Sequence, residues 1–186
     1  TQLNAVATDP VTGNNVPGNF VYTPYAGTLL GVGTHTLQVD FTPDDSANYT
    51  TASKTVTINV SKTDPIITWS NPDDITYGTA LSDTQLNAVA SVPGTFVYTP
   101  SAGTVLNSGI QTLSINFTPA DSANYTTASK SVTINISKAI PSITWSNPAN
   151  VAYGTALSGT QLNAVSSVPG SFVYNPASGT VLGAGT

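Results

Sequence analysis

The chain has no cysteine, no methionine, no arginine and no glutamate, and it holds a single histidine. Without cysteine there is no disulfide framework, and no thiolate for metal binding or nucleophilic chemistry. Without glutamate or a second histidine, the side chains that usually work as general acids and bases, or that complete a zinc shell, are nearly missing. The lone His35 stands where the next repeat has Gln111, so it reads as an ordinary strand or loop residue. Four lysines against nine aspartates leave a net charge of −5, with only 7% of residues charged. Such a surface offers no basic patch for a nucleic-acid backbone or anionic lipid. No apolar run approaches the ~18–20 residues needed to span a bilayer as a helix. The expectation is a non-catalytic chain with no cofactor and no metal site, and with no nucleic-acid partner or membrane-inserted segment.

What the chain has in quantity is hydroxyls and repetition. Thirty Thr and twenty Ser exceed a quarter of its 186 residues. Residues 41–62, FTPDDSANYTTASKTVTINVSK, return at 117–138 as FTPADSANYTTASKSVTINISK, with 19 of 22 positions identical. The period is 76 residues: Phe20, Phe96 and Phe172 are equivalent, as are Trp69 and Trp145. TQLNAV begins at Thr1, Thr84 and Thr160, so the first interval is seven residues longer, and the extra residues fall in the loop from Thr8 to Asn15. That loop contains Asp-Pro and Gly-Asn-Asn, which are turn chemistry, so the insertion is expected to lengthen a loop and spare the strands. A repeat fixes what the folding unit is. Prolines after Ser61-Lys62 and Ser137-Lys138 mark the boundaries: 1–64 is a repeat lacking its first strand, 65–140 a complete repeat, and 141–186 a repeat lacking its last strands. The chain reads as a window on a longer tandem array.

Within 65–140 apolar and polar residues alternate with the period of a strand. Ile67 and Trp69 share a face, as do Phe96 and Tyr98. Leu113, Ile115 and Phe117 form another such face, and so do Val132, Ile134 and Ile136. Leu86, Ala88 and Ala90 alternate with Gln85, Asn87 and Val89, which predicts a strand over TQLNAVA. Asn-Pro, Val-Pro-Gly, Asn-Ser-Gly and Thr-Pro separate the strands. About seven short strands at such spacings make the pattern of an immunoglobulin-like β-sandwich. The expected fold class is therefore all-β, a tandem of immunoglobulin-like β-sandwich domains without disulfides.

Asp45 to Tyr49 and Asp121 to Tyr125 both read DSANY, which resembles the D-x-A-x-Y corner ahead of one sandwich strand in immunoglobulin-type domains. With ITWSNP, YGTALS, VPGTFVYTP and TASKSVTIN at one spacing, the whole chain resembles the bacterial and archaeal immunoglobulin-like repeats of the MBG or Big type, which occur in tandem in large surface and secreted proteins. The resemblance implies a structural tyrosine corner at Asp45, Tyr49, Asp121 and Tyr125, with each hydroxyl bonded back to the backbone. It also implies an extracellular or cell-surface setting and a stalk, adhesin or filament role, with no particular ligand.

Several residues are weighed as sites. The acid pairs Asp44-Asp45 and Asp73-Asp74 become Ala120-Asp121 and Ala149-Asn150 in the following repeat, so they read as turn formers rather than calcium ligands. Asp45 and Asp121 are expected to cap the corner turn. Lys54 and Lys130 share parity with the apolar face, with their stems on the core edge. Asn48, Asn59, Asn116, Asn124 and Asn135 begin N-x-S/T sequons open to N-glycosylation, although this composition alone yields about four. Asn59, Asn116 and Asn135 fall on outward strand parity, and Asn48 and Asn124 lie in the corner. The leading expectation is a structural segment of an extracellular filament or surface stalk, partnered by neighbouring repeats and by identical chains in a fibre. The alternative is an adhesin module binding a surface glycan or a protein through the loop at Thr8–Asn15.

Overall fold

The computed structural model describes residues 2–184; Thr1, and with it the start of the first TQLNAV, lies outside the described residues. Among the described residues the chain is all-β, with eleven strands and no helix. In the first repeat β1 (Gly18–Thr23), β2 (Gly33–Pro43) and β3 (Ala52–Val60) form an antiparallel sheet in that order. The second repeat adds β4 (Ile67–Thr68), β5 (Ile75–Thr76), β6 (Val89–Ala90), β7 (Gly94–Thr99), β8 (Gly109–Pro119) and β9 (Ala128–Ser137). Its four-stranded sheet runs β5-β9-β8-β7, with β5 parallel to β9, and β4 pairs with β6. The third repeat contributes β10 (Ile143–Thr144) and β11 (Val165–Ser166), which pair with each other.

The register follows from the hydrophobic alternation, since a slip of one residue would turn every apolar side chain to the wrong face. Phe20 sits opposite Phe41 and Phe96 opposite Phe117, their rings 4.7 and 4.9 Å apart. In the second repeat Trp69, Leu81 and Leu86 face Leu113, Ile115, Phe117, Val132, Ile134 and Ile136 across one closed core. Ile67 and Ala90, from the β4–β6 pair, pack on it from the same side as Trp69, which gives a sandwich-like arrangement of two layers. Six strands and an isolated bridge between Ala80 and Val105 stand where about seven strands were expected.

The TQLN stretch corrects the sequence reading. Residues 83–85 form a turn, and only Val89–Ala90 extends as a strand. The cause is local: Gln85 Oε1 accepts from the Ser82 amide and hydroxyl at 3.1 Å each, the glutamine half of a capping box, while the Gln85 and Leu86 amides donate to the Ser82 carbonyl. Gln85 is buried by this turn although alternation places it outward. Ser158 and Gln161 repeat the device in the third repeat. A second departure lies at 171–176, which holds no strand although FVYN matches the FVYT of β7. β7 is held extended by β8, and no strand lies beside 171–176 among the described residues.

Candidate assembly interfaces

Where the first repeat meets the second, the linker is bonded into the second repeat's corner. The Thr63 amide donates to the Asn124 carbonyl at 3.0 Å, and the Thr126 amide donates to the Thr63 carbonyl at 3.1 Å, a short parallel bridge. Thr126 Oγ1 donates to the Asp64 carboxylate, and Lys62 Nζ donates to the Ser122 carbonyl at 2.7 Å. From the other side the Val32 amide of the first repeat donates to Asn124 Oδ1 at 3.0 Å. Pro65, immediately after the linker, is buried. In the second linker Ala139 and Ile140 stand where Thr63 and Asp64 stand in the first, so it carries no equivalent carboxylate, and Ile140 is exposed.

Both corners are built as expected of their aspartates. Asp45 Oδ1 accepts from the Ala47 and Asn48 amides, and Oδ2 accepts from Asn48 Nδ2 at 2.8 Å. Asp121 accepts from the Asn124 amide and from Asn124 Nδ2, again at 2.8 Å. The Asn side-chain bonds, with backbone N–H groups behind them, hold both carboxyls below the usual carboxylate range. The tyrosines are less uniform. Tyr49 donates its hydroxyl to Asp9 Oδ2 at 2.8 Å, a side chain of the inserted loop, where the resemblance implied a backbone acceptor.

Of the sequon residues, Asn48, Asn59, Asn116 and Asn135 are exposed, and Asn135 Nδ2 also reaches Asp74 at 2.9 Å. Asn124 is half-buried beneath the linker and the 31–32 loop. Sequence reasoning could not separate Asn124 from Asn48, because DSANY is identical in both repeats and only the neighbour differs. Asn124→Ala is expected to free the first repeat to swing against the second, with each lost bond costing about 0.5–1.5 kcal/mol. Small-angle scattering should then record a broader spread of dimensions, whereas Asn48→Ala leaves the profile unchanged.

The inserted loop is a small closed turn. Thr8 and Asn15 form an antiparallel bridge, and Asp9 Oδ1 accepts from the Val11 and Thr12 amides at 2.9 and 2.7 Å. The Thr12 amide, then the Tyr49 hydroxyl and the Val11 amide, bring the Asp9 carboxyl down to about 2, and the Asp9 carboxylate raises the Tyr49 phenol in turn. Because the folded value of Asp9 lies below its ordinary 3.8, its stabilisation is present above about pH 4 and fades as pH falls through about 2. Asp9→Asn should remove that acid-dependent component and return the Tyr49 phenolate absorbance titration towards the ordinary tyrosine value.

His35 and Gln111 prove interchangeable. Each reaches a carbonyl four residues back, Gly31 at 2.7 Å and Asn107 at 3.2 Å. Trp69 is a core residue, 4% exposed, with Nε1 donating to the Gln85 carbonyl at 3.0 Å. Lys130 Nζ donates to the Ile67 carbonyl at 3.1 Å, tying β9 to the first strand of its own repeat.

The first repeat differs most from the second along β3. Nothing pairs with the outer edge of β3 among the described residues, whereas β9 carries β5 there. Val56 is 53% exposed and its equivalent Val132 only 6%. Two adjoining hollows open on this face. One, of about 310 Å³, is lined by Gln2, Leu3, Tyr22, Leu37, Lys54 and Val56, among others. The other, of about 430 Å³, is lined by Gly27, Thr28, Leu37, Ile58 and Val60, among others. Their second-repeat counterparts surround Trp69 and Leu81.

No family model matches the chain, and no curated protein matches it.

Proposed function

We propose that the chain is a structural segment of an extracellular filament or cell-surface stalk, built from tandem immunoglobulin-like repeats joined end to end. The observation that carries this reading is the bonded joint at Lys62, Thr63 and Asp64. A linker whose backbone and side chains both engage the next repeat's corner resists bending, and stiffens the junction between the first and second repeats. The all-β, hydroxyl-rich and charge-poor composition suits a part whose work is to add length, each repeat touching mainly its neighbours. Glycans at exposed Asn48, Asn59, Asn116 and Asn135 fit an extracellular setting without touching the core. Labelling of intact cells with an antibody against this chain, before and after surface proteolysis, tests the placement. Labelling that appears only after cells are permeabilised would reject it. Negative-stain images of a longer chain carrying more repeats test that stiffness.

A second reading, an adhesin module, is favoured by one observation. The loop closed by Thr8 and Asn15 is peculiar to the first repeat, and Asp9 holds it in one shape against Tyr49. Deleting its seven extra residues should abolish binding on a glycan array if this reading is right.

A further inference from the structure

The four-stranded sheet of the second repeat ends on two edges that differ in kind. On one side β5 is only two residues long, follows Pro72, Asp73 and Asp74, and has Asp74 bonded to Asn135. Brevity, proline and charge are the devices by which a sheet deters a further strand. The other edge, β7, carries none of them. It runs six residues, Gly94–Thr99, with no charge and no proline. Its pairing with β8 is one to one throughout, so no bulge turns it aside.

The register decides which main-chain groups of β7 lie open. The Ala120 amide donates to the Pro93 carbonyl at 2.9 Å, bracketing the Gly94–Pro119 pair. Bonded and non-bonded pairs alternate along an antiparallel ladder, so Thr95, Val97 and Thr99 turn their N–H and C=O groups to β8. Gly94, Phe96 and Tyr98 turn theirs outward, and among the described residues no main-chain group bonds to them there. Val97, between the two open positions at Phe96 and Tyr98, leaves 61% of its surface exposed. Thr95, Thr99, Asn116, Ser129, Ser131 and Thr133 continue the solvent face of this sheet. No side chain on that face of β7, β8 or β9 is charged. The first repeat's β1 is a similar edge, but Asp40 stands beside its Val21, where the second repeat has Asn116 beside Val97.

We propose that β7 pairs with β7 of a second copy, antiparallel and centred on Phe96, so that two chains lie side by side with their sheets continuous. In this register Phe96 faces the partner's Phe96, and Gly94 faces the partner's Tyr98. Every outward N–H and C=O of both strands then finds a partner. A shift of one residue would set these groups against ones already bonded to β8. Val97 comes to lie beside the partner's Thr95, which covers its exposed methyls. An identical strand is the occupant that the edge itself specifies, because antiparallel copies are complementary in main-chain donors and acceptors. The uncharged face supplies neither repulsion between copies nor attraction for a charged partner, whereas Asp40 would set like charges near a β1–β1 contact. The contact is isologous, the same patch meeting itself across a two-fold axis. A strand of this length buries little surface, so one pairing is weak, and repeats in series add to it. The inference goes beyond the stalk reading by naming a lateral partner.

The test uses the whole 186-residue chain across a concentration series. Light scattering should record association as concentration rises. Hydrogen exchange, read amide by amide, carries the decision. On association the Phe96 and Tyr98 amides should slow at least about tenfold, while those of Thr95, Val97 and Thr99, already bonded to β8, stay as they were. Val97→Lys should weaken the pairing at least about tenfold, because it sets a charge close to its own two-fold image. Thr133→Lys adds the same charge to the same face, on β9, and should leave the pairing unchanged. Near-ultraviolet circular dichroism from the Trp69 core checks that both variants fold, and the exchange pattern of the unaltered chain stands without them. A chain that stays monomeric at high concentration overturns the proposal. Association without the alternating protection along β7 overturns it too, by placing the contact elsewhere. So does equal loss of pairing in both lysine variants, which would trace association to net charge. None of these results bears on the stalk reading, which surface labelling tests separately.

Discussion

Leu113→Ala is expected to destabilise the second repeat by about 3–5 kcal/mol, while Leu37→Ala, the same residue at the same place in the first repeat, should cost clearly less in dilute solution. The two leucines sit at equivalent points of β8 and β2, but their surroundings differ. Leu113 is wholly buried between Trp69, Leu81 and Leu86 on one side and its own sheet on the other. Truncating it removes its transfer free energy and leaves a cavity that Trp69 cannot collapse into, because the Gln85 carbonyl holds the indole. Leu37 already borders open hollows, so its truncation enlarges space that water reaches. A domain of this size has roughly 5–15 kcal/mol to lose, so the first substitution consumes a large part of it. Denaturation followed by Trp69 fluorescence, with Trp145 replaced by Phe, reads the second repeat. Tyr22 resonances read the first. Equal costs at the two positions would mean that Leu37 is as fully covered in solution as Leu113.

Gly94→Ala should be nearly as damaging, at about 3 kcal/mol, and Gly18→Ala should act likewise on the first repeat. A Cβ on Gly94 would overlap both the Thr118 carbonyl oxygen and the Phe117 ring, and on Gly18 both the Thr42 carbonyl oxygen and the Phe41 ring. In each case one obstacle is the backbone of the paired strand, which no rotamer change can move. The other is a ring laid across the strand end where the glycine leaves room. Retreat of Phe117 would break its contact with Phe96 and open the core. A thermal midpoint unchanged by Gly94→Ala would show that the strand end is far more pliable than this packing allows. Gly103→Ala makes a useful contrast, since a Cβ there meets no atom and the penalty comes only from its φ of +85°.

Alternation made the β2–β3 and β8–β9 faces legible, because Leu113, Ile115 and Phe117 repeat with period two and no turn interrupts them. Trp69 as core, and Asp45 and Asp121 as corner caps, were legible for a similar reason: each is fixed by its own few neighbours. The turn at 83–85 was misread because alternation there is accidental. The deciding contact joins the side chain of Gln85 to Ser82, and S-x-x-Q before an apolar run is a capping signal that the period-two reading overrode. Val-Pro-Gly was read as turn chemistry, whereas Gly94 and Gly18 begin strands and serve to admit a ring. The role of Asn124 was beyond sequence reasoning. Identical residues differ there only in what lies next to them, a property of the array and not of the motif.

The parallel pairing of β5 with β9 bears on how the chain carries load. β5 lies close after the point where the second repeat is tethered to the first, and β9 runs directly into the tether to the third. Tension along the chain therefore pulls these two strands in opposite directions along their own length. The bonds between Ile75, Thr76 and Tyr77 and the end of β9, with Asn71 and Lys130 further along, then share the force in shear instead of opening one after another like a zip. The second repeat's resistance to stretching thus resides at its outer seam, in contacts that leave its hydrophobic core unloaded until the seam gives way.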